Sequence, residues 1–422
     1  MEDNGEGEIE DIVINLEKGE SQEKLVEESE SNMHYLQKTY KSAFIITLPV
    51  FIGYACCFSL QKKLSFVFGL TDGVTGTKLS VIYGIGTSFV YFFNLIFRVL
   101  GHNVLFGFLH PRDRVLAALS SLMIGMVLLA YFSLQNTTQN VIWVFISYSF
   151  VGVCEGSYGP NMLNVVNNLG STRIYVLLAM PTGCACITIL AFCLMTFGVP
   201  YQTFYVITIV ICLMSITLYL FTIYPASKAI EVKTENHQEK FDLSSFCHDL
   251  KEIREWFPKI GFHCICFIFN NIFISLFNPG CTLFAYSNRV TLRLIGNVTI
   301  MNEIFIFLFN IGSFLGDFFS RKVMNQKRII NPIFFFIMSF LGAILNLSLI
   351  PEVAPLAAFL LMWANGGIYS QISKLIGQLF HEKYHLTATS SWLFLGDFGS
   401  MIGSNLIQPI LPFISSMKSK MY

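Results

Sequence analysis

From residue 41 onward, long apolar runs alternate with short polar breaks. The runs lie near 42–60, 79–101, 115–135, 141–162, 174–197, 203–224, 260–286, 298–320, 329–350, 355–378 and 387–414. Each approaches the roughly 20 residues a helix needs to cross the hydrocarbon core of a bilayer. The pattern therefore predicts an all-α polytopic membrane protein with about eleven spans. The fourth run can extend further, through PNMLNVVNN. One long polar connection, 225–257, divides the spans six and five, and its DLSSFCHDLKEIREWF part has the apolar spacing of a short helix lying on the membrane surface. The first 40 residues are acidic and poor in aromatics, the composition of a disordered tail. The expected organisation is a tail over 1–40, a six-helix bundle over 41–224, a linker loop over 225–257 and a five-helix bundle over 258–422.

Composition agrees with that pattern. Of 422 residues, 54% are hydrophobic and 13% charged, and the mean hydropathy is +0.59, too apolar for a soluble chain of this size. The formal net charge of zero implies no strong electrostatic partner, nucleic acid included. Most of the cysteines lie inside apolar runs and read as small buried hydrophobes. They show no metal-ligand spacing and no disulfide framework. No phosphate-binding loop, HExxH or GxSxG occurs, so no enzyme is expected, and no metal or cofactor is implied. The N-terminus lacks a basic segment followed by an apolar core, so a cleaved signal peptide is not expected.

Orientation follows from the short loops. HPRDR (110–114), Arg173, the central loop, RKVMNQKR (321–328) and HEKYH (381–385) fall on one side, which the positive-inside rule places in the cytosol together with the acidic tail. The C-terminus is then extracytosolic. Lys62, Lys63, Lys78, Arg289 and Arg293 fall on the other side and count against this assignment. Two glycosylation sequons, at Asn136 and Asn297, land in expected outer loops. A third, at Asn346, falls inside a span.

Polar residues within the spans carry the functional candidates, because a charge there costs about 2.5–3.5 kcal/mol on insertion scales. Asp317 and Arg321 lie four apart, on one helix face, and can pair. Arg321 alone also reads as an anchor at the cytosolic interface. The functional alternative has Asp317, held by Arg321, facing a wet central cavity. Glu155 lies among Gly152, Gly156 and Gly159, with Pro160 beside it, and reads either as a substrate or proton site or as half of an internal ion pair. Asp397 has the same two readings, and Gly396, Gly399 and Gly403 around it suggest a packing seam. Glu303 lies near the outer end of its span, and His263 is more often interfacial than a proton carrier. Asn270, Asn271 and Asn278 make the seventh span unusually polar, as Ser370, Gln371 and Ser373 do the tenth. Such residues line a pathway or bond across helices.

Several short motifs resemble those of the equilibrative nucleoside transporters, in particular divergent protist members. DFFSR (317–321) is similar to the family's D-x-x-[GS]-R motif, LFNPG (276–280) to its Phe-Pro-Gly, WANGG (363–367) to its Ser/Thr-Asn-Gly and CEGSYG (154–159) to its Gln-Gly-Ser stretch, with Glu155 in place of Gln. FLHPRDR (108–114) resembles the family's second cytosolic turn, and the six-plus-five layout is also the family's. The chain departs from the pattern in the first span, where Leu60-Gln61 stands nearest to the usual Trp-Asn. IINPIFFFIMSFLGAI lacks the ninth-span Arg, and Asn310 is displaced to seven residues before Asp317.

The resemblance implies a major-facilitator-like fold with one span fewer, rocking about a midplane site. It implies a nucleoside or nucleobase as substrate, contacted by Asp317 and Arg321 and secondarily by Gln61, Glu155 and Asn365, with no cofactor. Beyond that solute the expected partner is the bilayer, in the plasma membrane rather than an endolysosomal one. A second resemblance, to the battenin-like lysosomal membrane proteins, rests on GVCE (152–155), NIGSF (310–314) and GDFGSMIGS (396–404). It gives more weight to Glu155 and Asp397 as a proton or polar relay. A proton-coupled carrier of another polar solute, or a membrane scaffold, completes the alternatives.

Overall fold

The computed structural model describes residues 39–60, 64, 89–105, 108–135, 141–167, 169, 172–233, 248, 251–277, 289–294, 296–326, 329–380 and 384–421. Gln61, Asn136 and Asn278 lie outside these residues, as do the tail to residue 38 and most of the central loop.

Eleven helices lie among the described residues. They are α1 (Thr39–Ser59), α2 (Phe89–Gly101, closing in a π-helical stretch over Phe97–Leu105), α3 (Pro111–Ser133), α4 (Val141–Asn167), α5 (Thr172–Met195) and α6 (Gln202–Ala229). After the central loop follow α7 (Ile253–Leu276), α8 (Asn302–Gln326), α9 (Ile333–Leu347), α10 (Ala354–Leu379) and α11 (His385–Met421). The boundaries follow the apolar runs to within several residues. Helix α4 continues through PNMLNVVN as the extended reading allowed. Helix α1 starts at Thr39, inside the expected tail, where Tyr40 stacks on Tyr175 at 5.3 Å. Helix α7 starts at Ile253, ahead of the expected 260, because Trp256 is buried and its ring packs against Phe380.

The outer surface is made for lipid. Val206, Ile207, Val210, Leu213 and Met214 on α6, and Ile333, Ile337, Phe340 and Ile344 on α9, are exposed. A continuous apolar exterior of this extent has no place in water, and on a bundle of apolar helices it marks a multi-pass membrane protein. Seven of the described helices are long and apolar enough to span a bilayer; α10 and α11 are not among them. Of the interior polar residues described below, α10 carries Asn365, Ser370, Gln371 and Ser373, and α11 carries Asp397.

One element was not legible as a helix-only chain. Arg289–Leu292 and Val298–Met301 form an antiparallel hairpin, β1 and β2, with Arg289 opposite Met301. Its turn places Gly296 and Asn297 at positive φ (79° and 59°), a conformation Gly and Asn adopt at small cost. Asn297 is exposed there. Glu352 Oε1 accepts the Leu294 N–H at 2.7 Å, tying the hairpin to the α9–α10 turn.

Helix pairing is close where glycine removes the side chain. Helix α2 lies on α4, and a Cβ at Gly156 would stand 2.5 Å from Asn94 O. Helix α11 packs along α7 on the seam of Gly396, Gly399 and Gly403, which face Phe267, Ile268 and Ile272. Helix α8 packs on α10, with Gly312 and Gly316 against the carbonyls of Pro355 and Phe359. Between helices α1–α6 and helices α7–α11, contact runs chiefly through α5 on α8 and through α2 and α4 on α11.

Candidate functional site

The α8 segment NIGSFLGDFFSR places Asn310, Ser313, Asp317, Ser320 and Arg321 three, four or seven residues apart, hence on one helix face. All five are buried. Arg321 donates Nε to Asp317 Oδ1 at 2.9 Å and Nη2 to Asp317 Oδ2 at 3.1 Å, a bidentate pair. The guanidinium also lies with Cζ 4.4 Å above the ring of Tyr369 on α10, and Nη1 points at Met180 Sδ on α5 at 3.4 Å. The anchor reading of Arg321 is thereby set aside: its charge turns inward, 4% exposed, rather than to the interface. Asn365 on α10 donates to Asp317 Oδ1 at 3.4 Å. Gly366 next to it is required for the approach, since a Cβ there would meet Asp317 Oδ1 at 2.6 Å.

A second charged group bridges the two sets of helices. Arg98 on α2 donates Nε to Asp397 Oδ2 on α11 at 2.8 Å and Nη1 to the Glu155 carbonyl on α4 at 2.9 Å. Its Nη2 is 4.0 Å from Glu155 Oε1. A Cβ at Gly159 would lie 2.8 Å from Arg98 Nη1, so that glycine makes the room in which the guanidinium sits. Asn94, one turn earlier, hydrogen-bonds Asp397 as well. The sequence reading missed Arg98. It lies inside the expected 79–101 run, where an unpaired Arg is costly, and that signal was available.

Tyr369 connects the two groups. It lies within electrostatic range of Arg321, Arg98, Glu155 and Asp397, and its ring meets Trp392 edge-on at 4.6 Å and Phe267 at 6.0 Å. Arg321 from one group, and Arg98, Glu155 and Asp397 from the other, thus lie within electrostatic range of one aromatic residue. Asp397 lies about 18 Å along α11 from its first residue, His385. Around this centre Asn94 Oδ1, Glu155 Oε2 and Trp392 Nε1 are buried with no hydrogen-bond partner among the described residues. Such atoms call for a polar partner from water or a bound solute.

The remaining candidates bond across helices. Asn270 donates to Ser339 Oγ at 2.7 Å and Leu361 O at 3.1 Å. Asn271 Oδ1 accepts from Ser400 at 3.3 Å. Gln371 Oε1 accepts the Ile330 N–H at 3.2 Å, and Ser370 donates to Arg321 O at 3.4 Å. His263 is buried against Gln371, and Asn346 is buried and bonded to Gly342 O.

The two sets of helices are linked above and below the centre. At the end carrying the HPRDR turn, Arg173 on α5 donates Nε to Ser373 Oγ on α10 at 2.8 Å. Beside it Asn167 Nδ2 meets His385 Nδ1 at 2.8 Å. The HPRDR turn is fastened to α6, where Tyr224 donates to Asp113 and Arg112 stacks over its ring. At the opposite end Asn310 donates to Thr188 O at 2.9 Å, and Tyr91 hydrogen-bonds Ser275.

No family model matches the sequence, and no curated protein matches it. Solved structures do match its fold. A double-tryptophan mutant of XylE aligns with TM-score 0.64 at 12% identity, over 91% of this chain and 90% of that one. The major facilitator superfamily proton:xylose symporter XylE bound to 6-bromo-6-deoxy-D-glucose aligns with 0.60 at 14% identity, covering 88% of each chain. The human organic anion transporter MFSD10 aligns with 0.57 at 12% identity, over 87% of this chain and 92% of that one. The chain is an all-α, multi-pass membrane protein with a major-facilitator-like fold.

Proposed function

We propose that the protein is a facilitative transporter of nucleosides or nucleobases that works by alternating access. The observation that carries this reading is the Asp317–Arg321 pair, buried beside Asn365 and the ring of Tyr369. A nucleoside offers hydroxyls, ring donors and acceptors, and a flat aromatic face. Asp317 accepts from hydroxyl or amine groups, with strength added by its charge. Arg321 holds Asp317 in register and can donate a remaining N–H. Tyr369 and Trp392 supply aromatic surface, and the Trp392 N–H a free donor. The motif resemblance around 154–159, 317–321 and 363–367 points the same way, and the solved proteins of like fold are described as carriers of peptides, xylose and organic anions.

Transport would be a rocking of the helices before the 225–257 loop against those after it, with α5–α8 and α2–α11 as sliding contacts. On this reading the HPRDR end and the N-terminal tail face the cytosol, as the balance of loop charge favours, the hairpin lies outside, and the membrane is the plasma membrane, as the resemblance implies. Gln61 would be a further contact, and Asn136 and Asn297 glycosylation sites. A second reading, a battenin-like or other solute carrier, is favoured by the Arg98–Glu155–Asp397 group, which the nucleoside site does not require.

The test is uptake of labelled adenosine, uridine and hypoxanthine into oocytes expressing the chain. Saturable uptake that unlabelled nucleosides compete away, and that Asp317→Ala abolishes while leaving surface protein intact, is the expected result. Uptake unchanged in Asp317→Ala removes the assigned role. No uptake despite surface protein turns attention to other solutes.

A further inference from the structure

Arg98 brings one positive charge to two carboxylates. Asp397 takes the close contact at 2.8 Å. Glu155 takes the long one at 4.0 Å, and its Oε2 is buried without a hydrogen-bond partner among the described residues. With both acids ionised the group would hold a net negative charge inside the membrane, which is strongly disfavoured. Among the described residues Arg98 on α2 is the one cation within electrostatic range of Glu155. The other titratable groups in that range are Tyr54 on α1, Cys154 and Tyr158 on α4, Cys184 on α5, Tyr369 on α10 and Asp397 on α11. Arg321 is already held bidentately by Asp317.

We propose that Glu155 is a proton-binding site that couples proton movement to the rocking of the two sets of helices. The proposal rests on the carrier reading above for the coupling, though not for the site, and makes the carriage proton-driven where that reading has it facilitative. Arg98 and Glu155 belong to α2 and α4, and Asp397 belongs to α11. In the arrangement seen here Arg98 holds Asp397, and Glu155 is neutral with a proton on one carboxyl oxygen. When α11 moves away, Asp397 passes into the opened, water-filled side. Arg98 then has Glu155 as its one carboxylate. The Glu155 O–H bond breaks, its proton leaves to water on that side, and the carboxylate pairs with Arg98. Return of the helices draws Arg98 back to Asp397, and Glu155 takes a proton from water on the opposite side. Positive and negative charge balance within the membrane in both arrangements, and one proton crosses per cycle.

Infrared difference spectroscopy on the purified full-length protein tests the site without any substrate. A titrating carbonyl band of a protonated carboxyl is expected in the wild type. It should be absent in Glu155→Gln and weakened in Asp397→Asn, where Arg98 is left to Glu155. A band that persists unchanged in Glu155→Gln overturns the proposal. Should that variant not fold, a band in Asp397→Asn as strong as in the wild type does so. Coupling is read in proteoliposomes with labelled adenosine as the probe. An inward acid gradient should accumulate it about tenfold per pH unit, and carriage of adenosine without accumulation overturns the coupling. Failure to carry adenosine at all counts against the nucleoside reading alone, while the infrared band still decides the proton site.

Discussion

Arg98 on α2 donates to Asp397 on α11 at 2.8 Å, across the contact between the first six helices and the last five. The pair is buried, with side-chain exposures of 4% and 19%. Its partners come from segments 299 residues apart. Removing one member of a buried pair leaves the other's charge uncompensated, at a cost of about 3–5 kcal/mol. Arg98→Gln and Asp397→Asn should each lower the thermal midpoint in detergent. The double variant should lie above the sum of the two losses, because the pair is coupled. Additive losses would show that the two side chains do not share an interaction.

Arg321→Lys tests the shape of the cation rather than its charge. A lysine keeps the charge but loses the bidentate fork and the planar stacking on Tyr369. Loss of one hydrogen bond and the ring contact is worth about 1.5–3 kcal/mol, so uptake should fall by at least tenfold with surface protein unchanged. Wild-type uptake in this variant would reduce Arg321 to a point charge.

Gly156 carries the close approach of α2 to α4. A valine there collides with Asn94 O, which is backbone and cannot rotate away. Over-packing of this kind costs about 1–3 kcal/mol and would also displace Arg98, one turn further along. Gly156→Val should therefore lower the thermal midpoint and uptake together. An alanine scan of exposed positions on α6 supplies the neutral comparison.

Arg173 and Asn167 reach Ser373 and His385 across the HPRDR end. Arg173→Ala removes the larger part of that latch. Faster amide exchange over 384–390, read by mass spectrometry, is the expected result. Exchange equal to the wild type would mean that packing alone closes this end.

Asn297 sits exposed in the hairpin turn. In a glycosylating host, Asn297→Gln should increase gel mobility as enzymatic deglycosylation of the wild type does. Mobility identical to untreated wild type would place the hairpin on the cytosolic side or show the sequon unused.

The sequence by itself determined the class, the helix count and the seams. Apolar runs of spanning length leave the backbone one way to satisfy its hydrogen bonds within a segment, so eleven runs became eleven helices. The Gly396, Gly399 and Gly403 spacing sufficed to predict that α11 packs closely, because i, i+3 and i+7 share a helix face whatever the partner. Asp317 and Arg321 were legible for the same local reason. The tertiary structure alone decided partners that are distant along the chain. It chose Arg98 for Asp397, turned Arg321 inward onto Tyr369, and gave Glu155 a shared cation rather than one of its own. The hairpin at 289–301 also escaped the reading, since β2 merges into the apolar run that begins α8 and β1 lies in the break before it. Local patterns fix which face of a helix is special. Which two faces meet depends on how eleven helices pack at once, and no single segment carries that information.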